Sequence, residues 1–127
     1  MKKEKYHIEY IFDTASKLSL WKQLTTARGL SAWFADSVDI KGNLYAFHWD
    51  KDVVQAEAVC IKPEEKVRYR WLSEEEEPYY FEFMLRTFEL TGAVSLEITD
   101  FAETDEKEDA IALWETQVEA LKRSLGL

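Results

Sequence analysis

A chain of 127 residues can bury one hydrophobic core without disulfide or metal staples, and it reads as a single domain over residues 1–127. Its net charge of −9 argues against a nucleic-acid or anionic-membrane partner, because phosphate binding needs clustered Lys and Arg; solubility and self-repulsion are the simpler account of the charge. Hydrophobic residues make up 46% of the chain and rings 14%, so five Trp, six Tyr and seven Phe should dominate the core. Cys60 is the one cysteine, which leaves no internal disulfide and no Cys metal cluster. The basic start, Met1-Lys2-Lys3-Glu4-Lys5, is not followed by the apolar run of a signal peptide. No run approaches the roughly 18 apolar residues a membrane helix needs, so no membrane insertion and a cytoplasmic location are expected.

Tyr6, Ile8, Tyr10 and Phe12 alternate with His7 and Glu9, the period of a half-buried strand. Asp13 or Thr14 then reads as the cap of a helix running to about Leu24, with Leu18, Trp21 and Leu24-Thr25 at helical spacing. Thr26 caps a second short helix, Ala27 to Trp33. Val38 to Ile40 is a short strand bounded by the turn Lys41-Gly42-Asn43. Leu44 to Trp49 follows, with Tyr45, Phe47 and Trp49 on one face and His48 on the other. After the turn Asp50-Lys51-Asp52, Val53 to Ile61 is another strand, ended by Lys62-Pro63-Glu64-Glu65. Both faces of this strand are mixed, and a bulge would reconcile them while leaving its register open.

Val67, Tyr69 and Trp71 alternate with Arg68 and Arg70, a one-sided strand. An acidic loop, Glu74 to Glu77 before Pro78, leads to Tyr79–Arg86, with Phe81, Phe83 and Leu85 on one face. After a turn near Thr91-Gly92, Val94, Leu96 and Ile98 alternate with Ser95, Glu97 and Thr99. The order is β–α–α–(β)₆–α. It predicts an α+β fold, with one antiparallel sheet of about six to seven strands and helices at the ends of the chain.

The segment Asp105 to Gly126 carries both end signals of a helix. Asp105 at N-cap with Glu108 three residues on is a variant of the capping box. Glu106, Glu108 and Asp109 suit the positive end of the helix, Lys122 and Arg123 the negative end, and Gly126 can adopt positive φ beyond it. The stripe Ile111, Trp114, Val118, Leu121, Leu125 follows helical spacing and must pack on the one-sided sheet.

The segments Leu24-Thr25, Leu30-Ser31-Ala32-Trp33-Phe34 and Gly42-Asn43-Leu44-Tyr45-Ala46-Phe47, with this terminal helix, resemble the START-like (SRPBCC) helix-grip superfamily. That superfamily includes polyketide cyclases, plant pathogenesis-related proteins and the activator of the heat-shock chaperone ATPase (the AHSA type). Ile98-Thr99-Asp100-Phe101-Ala102, Asp105-Glu106 and Leu113-Trp114 through Gln117 are similar to a small START-like branch of Bacteroidetes bacteria. The resemblance implies a curved antiparallel sheet wrapped around the long C-terminal helix, two short helices after the first strand, and a cavity between sheet and helix. Two departures stand out. Gly42 is followed by Asn43 where chaperone-activator relatives carry paired glycines, and the inward parity is almost entirely apolar where catalytic relatives place ionisable groups.

Tyr45, Phe47, Trp49, Tyr69, Trp71, Phe81 and Phe83 form the inward set, faced by Trp114 and Val118 of the helix. Two readings are open: a filled core, or a lined apolar pocket whose polar tips come from Tyr45, Tyr69 and the indole N–H groups. Trp33 and Phe34 would form part of its mouth, or plug it. His7 and His48 have outward parity and no metal-ligand spacing, Glu74 to Glu77 reads as a solvated loop, and no metal or cofactor is expected. Asp100, Asp105 and Glu106 read as turn and cap chemistry, and Ser16, Ser19, Ser31 and Ser73 lack a nucleophile-elbow pattern. Cys60, between Val59 and Ile61, reads as an inert buried thiol. Arg68 and Arg70 should pair across strands with Glu82 or Glu97. Without a catalytic constellation, the first expectation is a non-enzymatic module with an apolar cavity for a small hydrophobic molecule or lipid. The alternatives are a protein-interaction module of chaperone-activator type and, third, a cyclase- or hydratase-like enzyme. Monomer and homodimer are both open.

Overall fold

The computed structural model describes residues 3–73 and 78–127. Its elements run β1 (Glu4–Phe12), α1 (Lys17–Thr25), α2 (Ala27–Trp33), β2 (Ser37–Lys41), β3 (Leu44–Trp49), β4 (Asp52–Lys62), β5 (Lys66–Trp71), β6 (Tyr80–Thr87), β7 (Val94–Ala102) and α3 (Lys107–Ser124). Among the described residues seven strands form one antiparallel sheet in the order β1-β7-β6-β5-β4-β3-β2. Strands β2 to β7 are a meander, and β1 joins its far side by pairing with β7 in the register Tyr6↔Asp100, Ile8↔Ile98 and Tyr10↔Leu96. The two short helices carry the chain from one edge of the sheet to the other. This is the curved sheet around a long terminal helix that the family resemblance implies.

The strand alternation decides which rings go inside. Phe47, Tyr69, Phe81, Phe83, Leu96 and Ile98 point to the helix side and are at most 1% exposed, against Val118 and Leu121 of α3. Each buried apolar side chain of this size contributes about 1.5–3 kcal/mol relative to exposure. On the other face the register sets the charge pairs. Arg68 lies opposite Glu82 and its Nε donates to Glu82 Oε1 at 2.9 Å, as expected. Arg70 lies opposite Glu57 and bonds it at 2.7 Å, so its partner comes from β4 and not from Glu97. Glu97 instead approaches His7 of β1, at 3.8 Å.

Three local expectations are corrected. The cap of α1 is Ser16, whose Oγ accepts from the Ser19 N–H at 2.9 Å; Asp13 and Thr14 lie before the helix begins. The α3 N-cap is Glu106, with no side-chain capping bond, so the Asp105 capping box does not form. A turn closed by the Glu106 N–H on the Glu103 carbonyl rotates Asp105 out of the cap position. Cys60 is exposed, because β4 bulges between Val59 and Lys62 and Cys60 adopts φ 51° there. The bulge is present, but it does not bury both parities: Ala56 and Ala58 face inward, whereas Ile61 stays 45% exposed and Val53 56%. At the other end of α3 the expectation holds: Gly126 has φ 77°, its N–H bonds the Arg123 carbonyl, and the Leu127 N–H bonds that of Lys122, a Schellman close.

The α1–α2 corner is tight. Thr26 caps α2 by accepting from the Gly29 N–H at 2.9 Å, as the sequence predicts. A Cβ on Gly29 would lie 2.3 Å from the Lys22 carbonyl oxygen and 2.6 Å from Gln23 Cα. Alanine ordinarily favours a helix over glycine by about 1 kcal/mol, but overpacking against backbone costs about 1–3 kcal/mol. Gly29→Ala should therefore lower the melting temperature followed by circular dichroism. It should do so despite gaining helix propensity, and an unchanged or raised value would refute the close packing.

Candidate functional site

The last four carbonyls of a helix lack intrahelical partners, and at the C-terminus of α1 each of them finds one. The Lys22 oxygen accepts from the Thr26 N–H at 3.2 Å and the Thr26 hydroxyl at 2.7 Å. The Gln23 oxygen accepts from Trp33 Nε1 at 2.8 Å. The Leu24 oxygen takes the Tyr69 hydroxyl at 2.6 Å, and the Thr25 oxygen takes the Tyr45 hydroxyl at 2.7 Å. Burial raises both tyrosine pKa values, and the neighbouring Tyr45 pushes that of Tyr69 up further, so both phenols stay neutral donors. The tips that sequence reasoning offers to a ligand are therefore committed to holding α1 on the sheet.

The space beside them is occupied by Phe34, at the C-terminus of α2. Its ring centroid lies 5.1–6.4 Å from those of Trp33, Phe47, Trp49, Phe81, Phe83 and Trp114. Tyr45, Phe47, Tyr69, Phe81, Phe83 and Val118 are packed in this interior, and Trp33, the last residue of α2, is buried with them. Trp49, Trp71 and Trp114 are placed differently. With Phe34, Asp100, Ala110, Leu113 and Gln117 they border an open cleft of about 430 Å³ between the first half of α3 and the ends of β3, β5 and β7. Trp49 and Trp71 are half-buried and Leu113 is 60% exposed, so apolar surface faces solvent here.

Asp100 is the residue whose place the reading of turn chemistry missed. It lies in β7 with the same parity as Leu96 and Ile98, on the helix side, and is no turn residue. Its Oδ1 accepts from the Phe101 N–H at 2.8 Å, and its Oδ2 from Trp114 Nε1 at 2.9 Å and the Tyr6 hydroxyl at 3.3 Å. Burial raises its pKa above the ordinary carboxylate value of 3.8, against the opposing pull of these three donors and of the Lys3 charge. Burial, and next the Asp100 charge, raise the pKa of Tyr6 in turn. The inward parity thus holds an ionisable group after all. The sequence signal was there, since Asp100 continues the alternation of Val94, Leu96 and Ile98; the β1–β7 register adds its partnership with Tyr6. Trp49 Nε1 and Gln117 Nε2 both donate to the Phe34 carbonyl, at 2.8 and 3.2 Å.

Other sequence candidates lie elsewhere. His48 Nε2 stands 2.8 Å from Asp39 Oδ2 across the β2–β3 pair, on the outer face, a His/Asp contact with no sequence spacing to announce it. His7 Nδ1 is 2.8 Å from the Thr99 hydroxyl, also outside. Glu74 to Glu77 lie outside the described residues. Among the described residues no group of three or more His, Cys, Asp or Glu is placed to hold a metal ion. No helix among them is long and apolar enough to cross a membrane.

The family model that matches the chain is the START-like superfamily domain, over residues 1–127. A Bacteroides fragilis protein solved by solution NMR is 42% identical, with a TM-score of 0.71 over 98% of this chain and 92% of that one. The Aha1 dimer from Colwellia psychrerythraea shares 19% identity with a TM-score of 0.81, covering 96% of each chain. A Mesorhizobium loti protein shares 20% identity with a TM-score of 0.75, over 94% of this chain and 95% of that one. At those two identities the likeness speaks for the fold alone. Comparison with curated proteins gave no match.

The position of Asp100 makes stability pH-dependent in a defined sense. A carboxyl whose pKa is raised by folding favours the folded state below its unfolded value of 3.8, and that contribution is lost as pH rises through the folded value. Comparison with Asp100→Asn cancels the other titrations. The stability of the unsubstituted chain relative to this variant, from urea unfolding, should fall as pH rises from 3.8 through the folded pKa of Asp100 and level off above it. A difference independent of pH, or one that grows, would contradict a raised pKa at Asp100.

Proposed function

We propose that this chain, which belongs to the START-like superfamily, is a non-enzymatic binding module that holds a small hydrophobic molecule or a lipid chain at the cleft between α3 and the sheet. The observation that carries this reading is the cleft itself. In a protein whose rings otherwise pack on one another, Trp49, Trp71, Trp114 and Leu113 border about 430 Å³ of open space with Asp100 and Gln117 as its polar groups. That size and that ratio of apolar to polar lining are typical of small-molecule sites, which run about 300–1,000 Å³. The packed interior around Phe34 supports a ligand seated at the rim of the grip, where α3 meets the strand ends, and argues against one engulfed at its centre.

A second reading, a protein-interaction module, draws on a separate surface. The β6–β7 connection presents Leu90 fully exposed, with Phe88 at 39% and Ile11 of β1 at 43% beside it. Contiguous exposed apolar groups of this kind favour a protein contact. If the contact is with a second copy, sedimentation velocity should show concentration-dependent association that Leu90→Asp abolishes; a monomer at every concentration would remove self-association.

The ligand reading is tested by filling the cleft. Ala110 lies on the α3 wall and is half-buried, so Ala110→Trp places a ring in the open space with little demand on the core. Binding of a neutral apolar probe such as 2-methylnaphthalene, followed by the indole N–H signals in NMR titration, should weaken by about tenfold or more, about 1.4 kcal/mol. Absence of any probe-induced shift at Trp49, Trp71 and Trp114 in the unsubstituted chain would overturn the reading.

A further inference from the structure

The polar groups of the cleft are unbalanced, and the imbalance selects a chemistry. Most of its donors are engaged: Trp114 Nε1 with Asp100, and Trp49 Nε1 and one N–H of Gln117 Nε2 with the Phe34 carbonyl. Among the described residues, the Trp71 indole N–H and the second Gln117 N–H are left over, and both are neutral, whereas the acceptor beside them is a carboxyl group. Asp100 accepts three protein donors at distances of 2.8, 2.9 and 3.3 Å. A carboxylate offers roughly four lone-pair sites, so its capacity is not exhausted. It is also the one ionisable side chain among the described residues that line the cleft. Around it stand the rings of Phe34, Trp49, Trp71 and Trp114, whose π systems attract a cation and gain nothing from an anion.

Resting on the binding reading above, we propose that the cleft is selective for an apolar molecule bearing a protonated amine, with the ammonium directed to Asp100 and the apolar body against the tryptophans. An ammonium supplies only donors, which suit the remaining lone pairs of Asp100, and its charge offsets that of a carboxylate held away from water. A ligand carboxylate would meet the Asp100 charge with only the neutral N–H groups of Trp71 and Gln117 to bind it. The chain's net charge of −9 works in the same direction, drawing cations toward the protein at long range. Among the described residues, the charged and titratable groups that bear on Asp100 from its surroundings are Lys3, preceding β1, and Tyr6 of β1. Lys3 disfavours a second cation, and the proposal requires that the rings and the carboxylate together outweigh it.

Three probes with one hydrocarbon body separate this proposal from the reading it rests on. The chain is titrated at neutral pH with 2-naphthylmethylammonium, 2-methylnaphthalene and 2-naphthylacetate, by calorimetry and by NMR of the indole N–H groups. The expected order is ammonium tightest, by about ten- to a hundredfold over the neutral probe, the range that a charge-assisted hydrogen bond and a cation–π contact supply. The carboxylate should be weakest. Asp100→Asn should collapse the preference for ammonium to within about threefold, a difference below 1 kcal/mol. If the neutral probe binds and the ammonium binds no tighter, amine selectivity is overturned while the apolar site stands. If the carboxylate binds tightest, the proposal is likewise overturned. If none of the three shifts the indole signals, the cleft is no binding site and both fall. Should Asp100→Asn fail to fold, the order of the three probes on the unsubstituted chain still decides.

Discussion

The structure depends on how the C-terminus of α1 is held. A helix that ends against a hydrophobic sheet brings its unpaired carbonyls with it, and leaving them dry and unbonded would cost about 1–3 kcal/mol each. Here the sheet answers with Tyr45 and Tyr69, and α2 answers with Trp33 and Thr26. These bonds fix where α1 sits, and Gly29 lets α2 turn back on it at close range. The position of α2 then sets that of Phe34, whose ring occupies the interior between sheet and α3. The cleft is what remains at the rim once that ring is in place.

The same bonds explain why the site offers so few donors. A buried hydroxyl or indole N–H is costly without a partner, and in this fold backbone oxygens and Asp100 take those of Tyr45, Tyr69, Trp49 and Trp114. Tyrosines that sequence reasoning marks as ligand contacts serve as helix caps made across tertiary space. Asp100 moves the other way. Read in line with Phe101-Ala102 and the acidic stretch beyond, it resembles turn chemistry; paired with Tyr6 across the sheet, it is an inward carboxylate under the first half of α3.

Much of the fold was legible because strand and helix periods are local. Alternation placed Phe47, Tyr69, Phe81 and Phe83 on the helix side, and 3–4 spacing placed Trp114, Val118 and Leu121 on the buried stripe of α3. Caps were legible only in part. Thr26 and Gly126 hold the roles their chemistry suggests, whereas Ser16 displaced Asp13 and Thr14, and Glu106 displaced Asp105. Several residues near a helix start can cap it, and the choice rests on where the preceding strand or turn releases the chain. Cys60 misled for a related reason: a bulge takes a residue out of the alternation that its neighbours obey.

By itself, then, the sequence determined the element order, the inward parity of the rings and the C-terminal end of the terminal helix, because each follows from contacts within a few residues. The tertiary structure alone decided the rest. Whether the rings leave a void depends on where Phe34 lands, and which donors stay free depends on carbonyls that sit 20 and 45 residues away from Tyr45 and Tyr69. The hold of Tyr6 on Asp100, the one carboxylate that lines the cleft among the described residues, comes from a strand pairing that joins residues 94 positions apart. Such contacts have no local period, so only the folded chain reveals them.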